Sequence, residues 1–330
     1  MAAFLIMKKI ALIYMGGTFG CIGEPLSPMP KTDFLPQLEK ILPEQYPIDC
    51  FSAPSIQDSS ACTAVDWFKL IQLIQHLQLK QYQHFIVIHG TDTLSYAAAT
   101  LARFLQHSAY VILTGSQYPL LNLQGNDLRE FSDARDNLNT AIEHLFKIPP
   151  GVYVSFYHQL IHASSCLKIH TTALNAFQGL PYQHEISTPS TSAFIIYDEH
   201  IELIQKLNLQ NWMMQPIEKV HLATHLQHLL TAPPDVLILQ GYGTGNIAIN
   251  AEIQQHLQQL QFNGCVIILD TQVPFGGLDQ RYAVSDWVNA SKILLNDTQS
   301  HADLYAKILK MYLQYSTSEP WHDHWYDHSL

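Results

Sequence analysis

Apolar residues run along this chain in two rhythms. The first is a short unbroken run. Lys9–Tyr14, Phe85–Ile88, Tyr110–Leu113, Val152–Phe156, Val236–Leu239 and Val266–Leu269 are built almost wholly from Ile, Val, Leu and aromatic residues. Runs of that length, apolar at successive rather than alternate positions, predict strands buried on both faces of a parallel sheet. The second rhythm is helical: in Thr63–Leu79, Trp67, Leu70, Ile71, Ile74 and Leu77 recur on one face. Asp33–Leu42, Leu94–His107, Asp133–Phe146, Ala251–Leu260 and Ala302–Tyr315 also read as helices, and Ile48–Ala53 adds a strand. Strand and helix alternate, so the fold class expected is α/β: a doubly wound, mostly parallel sheet domain followed by a second, smaller α/β domain.

Between about Pro181 and Pro216 the periodicity fades and Ser, Thr, Pro and His interleave, with one short strand expected at Ala193–Tyr197. The domain organisation expected is an N-terminal α/β domain over 1–190, a linker over 191–215 and a C-terminal α/β domain over 216–330. Two domains also suit a chain of 330 residues. No repeat of solenoid period is present.

Composition narrows the function. A net charge of −11, with 17 Lys and Arg against 28 Asp and Glu, leaves too few clustered cations to neutralise phosphates, so no nucleic-acid partner is expected. Five scattered cysteines, odd in number and without Cys-x-x-Cys spacing, argue against a disulfide framework or zinc site and suit a reducing cytoplasm. Lys8-Lys9 before Ile10–Tyr14 imitates a signal peptide, but the apolar run is too short and no small-x-small site follows. No stretch reaches the ~20 apolar residues of a membrane span. The 18 histidines are mostly isolated; the His-rich tail Trp321–His328 is expected to fray, and neither a catalytic metal nor a cofactor is expected.

Candidate chemistry collects at the ends of the strands, where open α/β sheets place it. Thr18 follows the first strand in Gly16-Gly17-Thr18-Phe19-Gly20, which lacks the spacing of a dinucleotide or phosphate loop. Thr91 and Asp92 follow another in His89-Gly90-Thr91-Asp92-Thr93. A threonine hydroxyl is a poor nucleophile until a base or a lowered pKa activates it; Asp92 is one candidate partner and a lysine brought near by folding is another. Thr91 or Asp92 could equally cap the helix that starts at Leu94. Asp58-Ser59-Ser60 suits an amino-acid head group, carboxylate toward ammonium and hydroxyls toward carboxylate, or serves as a turn and cap. Lys168, in an apolar run, is either a base drawn into low dielectric or a surface lysine whose stem lies on apolar residues.

These segments, in this order, resemble the bacterial-type L-asparaginase family of two-domain threonine amidohydrolases, most of all its cytoplasmic type I branch. Gly16-Gly17-Thr18 and His89-Gly90-Thr91-Asp92-Thr93 match its two signatures, and Asp58-Ser59-Ser60 its substrate-binding segment. Thr114-Gly115-Ser116-Gln117, Asp136-Asn137-Leu138, Tyr242-Gly243, Asn246 and Thr271-Gln272 also fit. The resemblance implies hydrolysis of L-asparagine to L-aspartate and ammonia through an acyl-enzyme on Thr18. It implies that Thr91, Asp92 and Lys168 form a hydrogen-bonded activating set, and that Asp92, Asp58, Ser59 and Ser60 hold the substrate. It further implies a homodimer or homotetramer in which Asn246 crosses to a partner's site, a small-molecule substrate and a cytoplasmic location.

Two departures stand out. The family carries a tyrosine on the loop after the first threonine, whereas Cys21–Phe34 has none and is proline-rich. Leu167 and Val273 occupy positions that carry a threonine and a cysteine in the allosteric site of type I enzymes. The alternatives are a mixed glutaminase–asparaginase, since one methylene is worth only ~1–3 kcal/mol of discrimination, a tRNA-dependent amidotransferase subunit, and a non-catalytic amino-acid binder.

Overall fold

The computed structural model describes residues 9–185, 192–279, 286–289, 291–315 and 318–327. The chain divides into two compact units between Ile201 and Glu202. In the first, β1 (Ile10–Gly16), α1 (Lys31–Glu39), β2 (Ile48–Gln57), α2 (Ala64–Leu79), β3 (His84–Ile88), α3 (Leu94–Leu105), β4 (Tyr110–Thr114), α4 (Ala134–Leu145), β5 (Gly151–Phe156) and β6 (Gln159–His162) follow one another. The sheet order is β2-β1-β3-β4-β5-β6. All neighbours are parallel except β6, which returns antiparallel on β5.

The apolar runs explain the layers. Every residue of β1 and of β3 is buried, because helices cover both faces of the sheet. On one face Ile10, Leu12, Ile86 and Ile88 pack with Leu138, Ala141, Ile142 and Leu145 of α4 and with Phe34 and Leu38 of α1. On the other, α2 packs on β2 and α3 on β5. Asp66 closes the first turn of α2 by accepting from the Thr63 amide at 2.9 Å.

The expected strand at Ala193–Tyr197 does not form. Its backbone is claimed by other groups: Phe194 N–H donates to Phe104 O at 2.8 Å, Gln75 Nε2 donates to Phe194 O at 2.8 Å, and Ile196 N–H donates to Gln75 Oε1 at 3.2 Å. A side-chain amide from α2 thus takes the place of a ladder partner. The stretch expected as a linker also contains a helix, α5 (Asp198–Ile204), and a strand, β7 (Leu209–Met213).

The second unit continues with α6 (Lys219–Leu229), β8 (Val236–Gly241), α7 (Ala251–Phe262), β9 (Val266–Thr271), β10 (Leu294–Leu295) and α8 (His301–Gln314). Its parallel sheet has the order β7-β8-β9-β10. Asn250 and Ser300 cap α7 and α8 with their side chains. The tail, expected to fray, is packed instead: Glu319–His324 is helical, and Trp321 and Trp325 are buried against Ile268, Leu294, Leu304 and Ile308. Trp325 Nε1 donates to Leu295 O at 2.7 Å, and the Leu295 amide donates to Tyr326 Oη at 3.1 Å. His328 lies outside the described residues.

Candidate active site

Three neighbouring strands of the first unit, β2, β1 and β3, end in Asp58-Ser59-Ser60, Gly16-Gly17-Thr18 and His89-Gly90-Thr91-Asp92. The chain leaves β1 for β2 on one side and crosses to β3 on the other, so these ends flank the point where the winding reverses. Open α/β sheets form a crevice there.

Glycine makes the ends meet. A Cβ on Gly17 would stand 2.2 Å from Gly90 Cα, and one on Gly90 would stand 2.4 Å from Ser59 Oγ. Gly17 also holds φ 82° and ψ −177°, a region essentially closed to other residues. Thr18 and Thr91 are therefore the residues that immediately follow two touching backbones. Thr18, half-buried, opens a single 3-10 turn, Thr18–Gly20; Thr91 is buried.

Ser59 joins the second and third ends. Its hydroxyl accepts from the Asp92 amide at 3.2 Å, and its carbonyl accepts from Thr93 Oγ1 at 2.7 Å. Thr93 is the N-cap of α3 without a side-chain cap bond, so neither Thr91 nor Asp92 caps that helix. Asp58 does cap: its Oδ1 accepts from the Ser60 amide at 2.8 Å and from Ser60 Oγ at 2.6 Å. Those two donors hold the exposed Asp58 carboxyl below its ordinary range. The Ser60 hydroxyl proton is thus spent on Asp58.

Lys168 reaches the site from the antiparallel ribbon Leu167–Lys168 and Phe177–Gln178, which follows β6. Its Nζ donates to Thr91 Oγ1 at 2.9 Å and to Asp92 Oδ1 at 3.0 Å, with a fifth of the lysine side chain exposed. A hydroxyl this close to an amine nitrogen can hand over its proton whenever the amine is neutral. Asp92, half exposed, anchors the lysine. Asn246 lies in the second unit, in the turn after β8, where its Nδ2 donates to Thr244 Oγ1 at 3.2 Å.

The segment after Thr18 folds as a two-rung ribbon, Cys21–Ile22 on Ser27–Pro28. Backbone bonds tie it down: Leu120 N–H donates to Phe19 O at 3.0 Å and Gly23 N–H to Leu123 O at 3.1 Å. Its tip, Glu24–Pro28, is exposed.

Two further buried polar residues, Asp133 and His89, shape the strand ends. Asp133 receives the Gln117 and Tyr118 amides and the Asn137 amide, all near 3.0 Å, and so fixes the loop after β4. Of the motif Asp136-Asn137-Leu138, Asp136 is exposed, whereas Asn137 is buried and donates to Gly115 O at 3.0 Å. His89 is fully enclosed, and burial pushes its pKa down to about 4. A histidine ahead of the Gly-Thr pair was visible in the sequence, but its partner was not.

The Asparaginase, N-terminal family model matches residues 9–202. L-asparaginase 1 of Escherichia coli is 27% identical over 290 residues, covering 82% of this chain and 81% of that protein. An L-asparaginase of Thermococcus kodakarensis is 26% identical over 242 residues, covering 69% of this chain and 68% of that protein. An L-asparaginase of Dirofilaria immitis is 29% identical over 243 residues, and there the match spans only 38% of the relative's length. Among solved structures, the thermostable L-asparaginase of Thermococcus kodakarensis superposes with a TM-score of 0.77 at 22% identity, covering 93% of each chain. L-asparaginase I of Vibrio cholerae gives 0.73 at 22% identity, again covering 93% of each chain. These two share the fold. The family match takes in more than half of the chain, including Thr18, Asp58, Thr91, Asp92 and Lys168, and the chain belongs to the asparaginase family.

Proposed function

We propose that the protein is an amidohydrolase that converts L-asparagine to L-aspartate and ammonia. The observation that carries this reading is the placement of Lys168 Nζ at 2.9 Å from Thr91 Oγ1 and 3.0 Å from Asp92 Oδ1, beside the backbone contact that brings Thr18 alongside. The substrate ammonium faces the carboxylates of Asp58 and Asp92. Its carboxylate faces the Ser59 segment.

Thr18 Oγ attacks the side-chain amide carbon and its proton passes toward the departing nitrogen. The carbonyl π electrons move to oxygen, and backbone N–H groups at the strand ends stabilise that oxyanion. Collapse breaks the C–N bond, releases ammonia and leaves an ester on Thr18. Water, its proton drawn through Thr91 to a neutral Lys168 amine, attacks the ester carbon. The C–O bond to Thr18 breaks, the Thr18 oxygen takes up the proton that Lys168 received, and aspartate leaves with both groups restored. The wide participation of charge at Lys168 and Asp92 makes this step sensitive to loss of either. A homodimer or homotetramer in which Asn246 serves a partner's site, and a cytoplasmic location, belong to the same proposal.

The test is ammonia release from L-asparagine, L-glutamine and D-asparagine, with L-asparagine expected to give the highest kcat/KM. Thr18→Ala and Thr91→Ala are each expected to lower kcat by about a thousandfold or more. Hydroxylamine should intercept the aspartyl ester on Thr18, freeing the Thr18 hydroxyl and releasing β-aspartyl hydroxamate. Full activity in either alanine variant refutes the mechanism. Sedimentation equilibrium, together with recovery of activity on mixing Asn246→Ala with Thr18→Ala protein, tests the shared site.

A further inference from the structure

His89 is 1% exposed, and both its ring nitrogens are engaged. Trp67 Nε1 lies 3.2 Å from Nε2, and Nδ1 lies 2.8 Å from the Gly90 carbonyl oxygen. An indole N–H can only donate, so Nε2 must be bare, and the neutral ring then carries its proton on Nδ1. The Nδ1–H donates to Gly90 O. A tryptophan on α2 thereby chooses the tautomer of a histidine at the end of β3. Trp67 itself is held by a parallel stack on Tyr96, 6.5 Å between centroids. The backbone side of His89 is equally fixed: its amide donates to Thr114 O at 2.8 Å, and a Cβ on Gly115 would stand 2.3 Å from its carbonyl oxygen.

Replacing two mutually bonded buried polar rings by apolar residues of similar shape can be nearly neutral for stability, so such a pair counts chiefly where the direction that it imposes matters. Here it does. The Gly90 carbonyl and the Thr91 amide belong to one planar trans peptide and point in opposite directions. Gripping the carbonyl from the buried side turns the amide of Thr91 away from the core. The residue whose amide is set in this way is the one that Lys168 meets at Oγ1, at 2.9 Å. Resting on the amidohydrolase reading above, we infer that Trp67 and His89 are a positioning pair that sets the Gly90–Thr91 peptide plane, and with it the Thr91 amide, for the oxyanion of the substrate amide. Neither side chain touches the substrate; both act through that peptide.

The experiment combines kinetics with the imidazole nitrogen chemical shifts of the full-length enzyme, the His89 signals being assigned by their loss in His89→Asn. Wild-type His89 should be protonated at Nδ1 and bare at Nε2. Trp67→Phe removes the indole N–H but keeps an aromatic ring; it should mix the tautomers and lower kcat about tenfold with KM within about twofold. His89→Leu should show the same split. His89→Asn, whose Nδ2 occupies the place of the ring Nδ1–H, should recover kcat to within about threefold of wild type. A wild-type ring protonated at Nε2 overturns the pairing, whatever the variants do. So does a kcat within about twofold of wild type in Trp67→Phe, and so does loss in His89→Asn equal to that in His89→Leu. If His89→Leu fails to fold, Trp67→Phe and the wild-type tautomer still decide. A wild type that releases no ammonia sinks the amidohydrolase reading itself, before any substitution at Trp67 or His89 is made.

Discussion

Gly17→Ala tests whether the two strand ends are held together by backbone contact. The added methyl would lie 2.2 Å from Gly90 Cα and 2.5 Å from Gly90 N, atoms that cannot swing aside as the end of a side chain can. The overlap costs about 1–3 kcal/mol. The backbone at φ 82°, ψ −177° adds a further 1–3 kcal/mol, roughly, for any residue with a Cβ. The sum, about 2–6 kcal/mol, corresponds to a fall in Tm of roughly 5–20 °C for a domain of this size. Gly264→Ala is the control: Gly264 holds φ 93°, and nothing lies within 4 Å of its added Cβ. It should cost only the backbone share, about 1–2 kcal/mol. The assay is thermal unfolding of both variants beside wild type, followed by ammonia release below the lower Tm. Folded Gly17→Ala should also lose about a hundredfold in kcat, because Thr18 and Thr91 are pushed apart. If Gly17→Ala is no less stable than Gly264→Ala, the strand ends are not in contact and the reasoning fails.

Acid should weaken the fold partly through His89. Its folded pKa, about 4, lies below the ordinary 6.5, so the unfolded chain binds the proton first. The stability is therefore full above pH 6.5 and is lost as pH falls toward 4, by at most roughly 3 kcal/mol. His89→Asn should flatten the pH dependence of urea unfolding across that window, and an unchanged slope would count against it. Lys168→Met keeps the stem but removes both donations; kcat should fall about a hundredfold or more, with stability within about 1 kcal/mol since the Asp92 partner is half exposed. Unchanged kcat would remove Lys168 from the site. Asp58→Asn preserves an acceptor for Ser60 but not the charge, so KM for L-asparagine should rise about tenfold or more with a smaller change in kcat. An unaltered KM would place the substrate ammonium elsewhere.

The sheet was legible wherever burial leaves a mark on composition. Ile10–Gly16, His84–Ile88 and Val236–Gly241 are buried throughout and read as unbroken apolar runs. What escaped has no such mark. β7 is an edge strand, exposed or half-exposed along its length, and α6 buries only Ala223 and Leu226. The hairpin between β5 and β6 turns on Tyr157 and His158, at φ 47° and 60°, where a sequence reading looks for glycine or asparagine. Of the candidate site, the Gly-Thr ends could be read locally because strand, glycine and hydroxyl are adjacent. Lys168, 77 residues from Thr91, could be joined to it only through the family resemblance. The Trp67–His89 bond spans two elements and leaves no spacing to detect. The tail was misread because hydrophilic neighbours hide two tryptophans that fill one core.

The packed tail also covers an edge of the second sheet. Among the described residues β10 is the last strand of its sheet, and a strand in that place ordinarily offers a free amide and carbonyl to any extended chain that drifts past. Leu295 offers neither: its amide is taken by the Tyr326 hydroxyl and its carbonyl by the Trp325 indole. Two aromatic side chains thus stand in for a neighbouring strand while carrying no backbone edge of their own. Detachment of Glu319–Tyr326, without any melting of the sheet, is then enough to expose a template for β-addition. Deletions or fusions that disturb this segment should fail by precipitation sooner than by loss of fold.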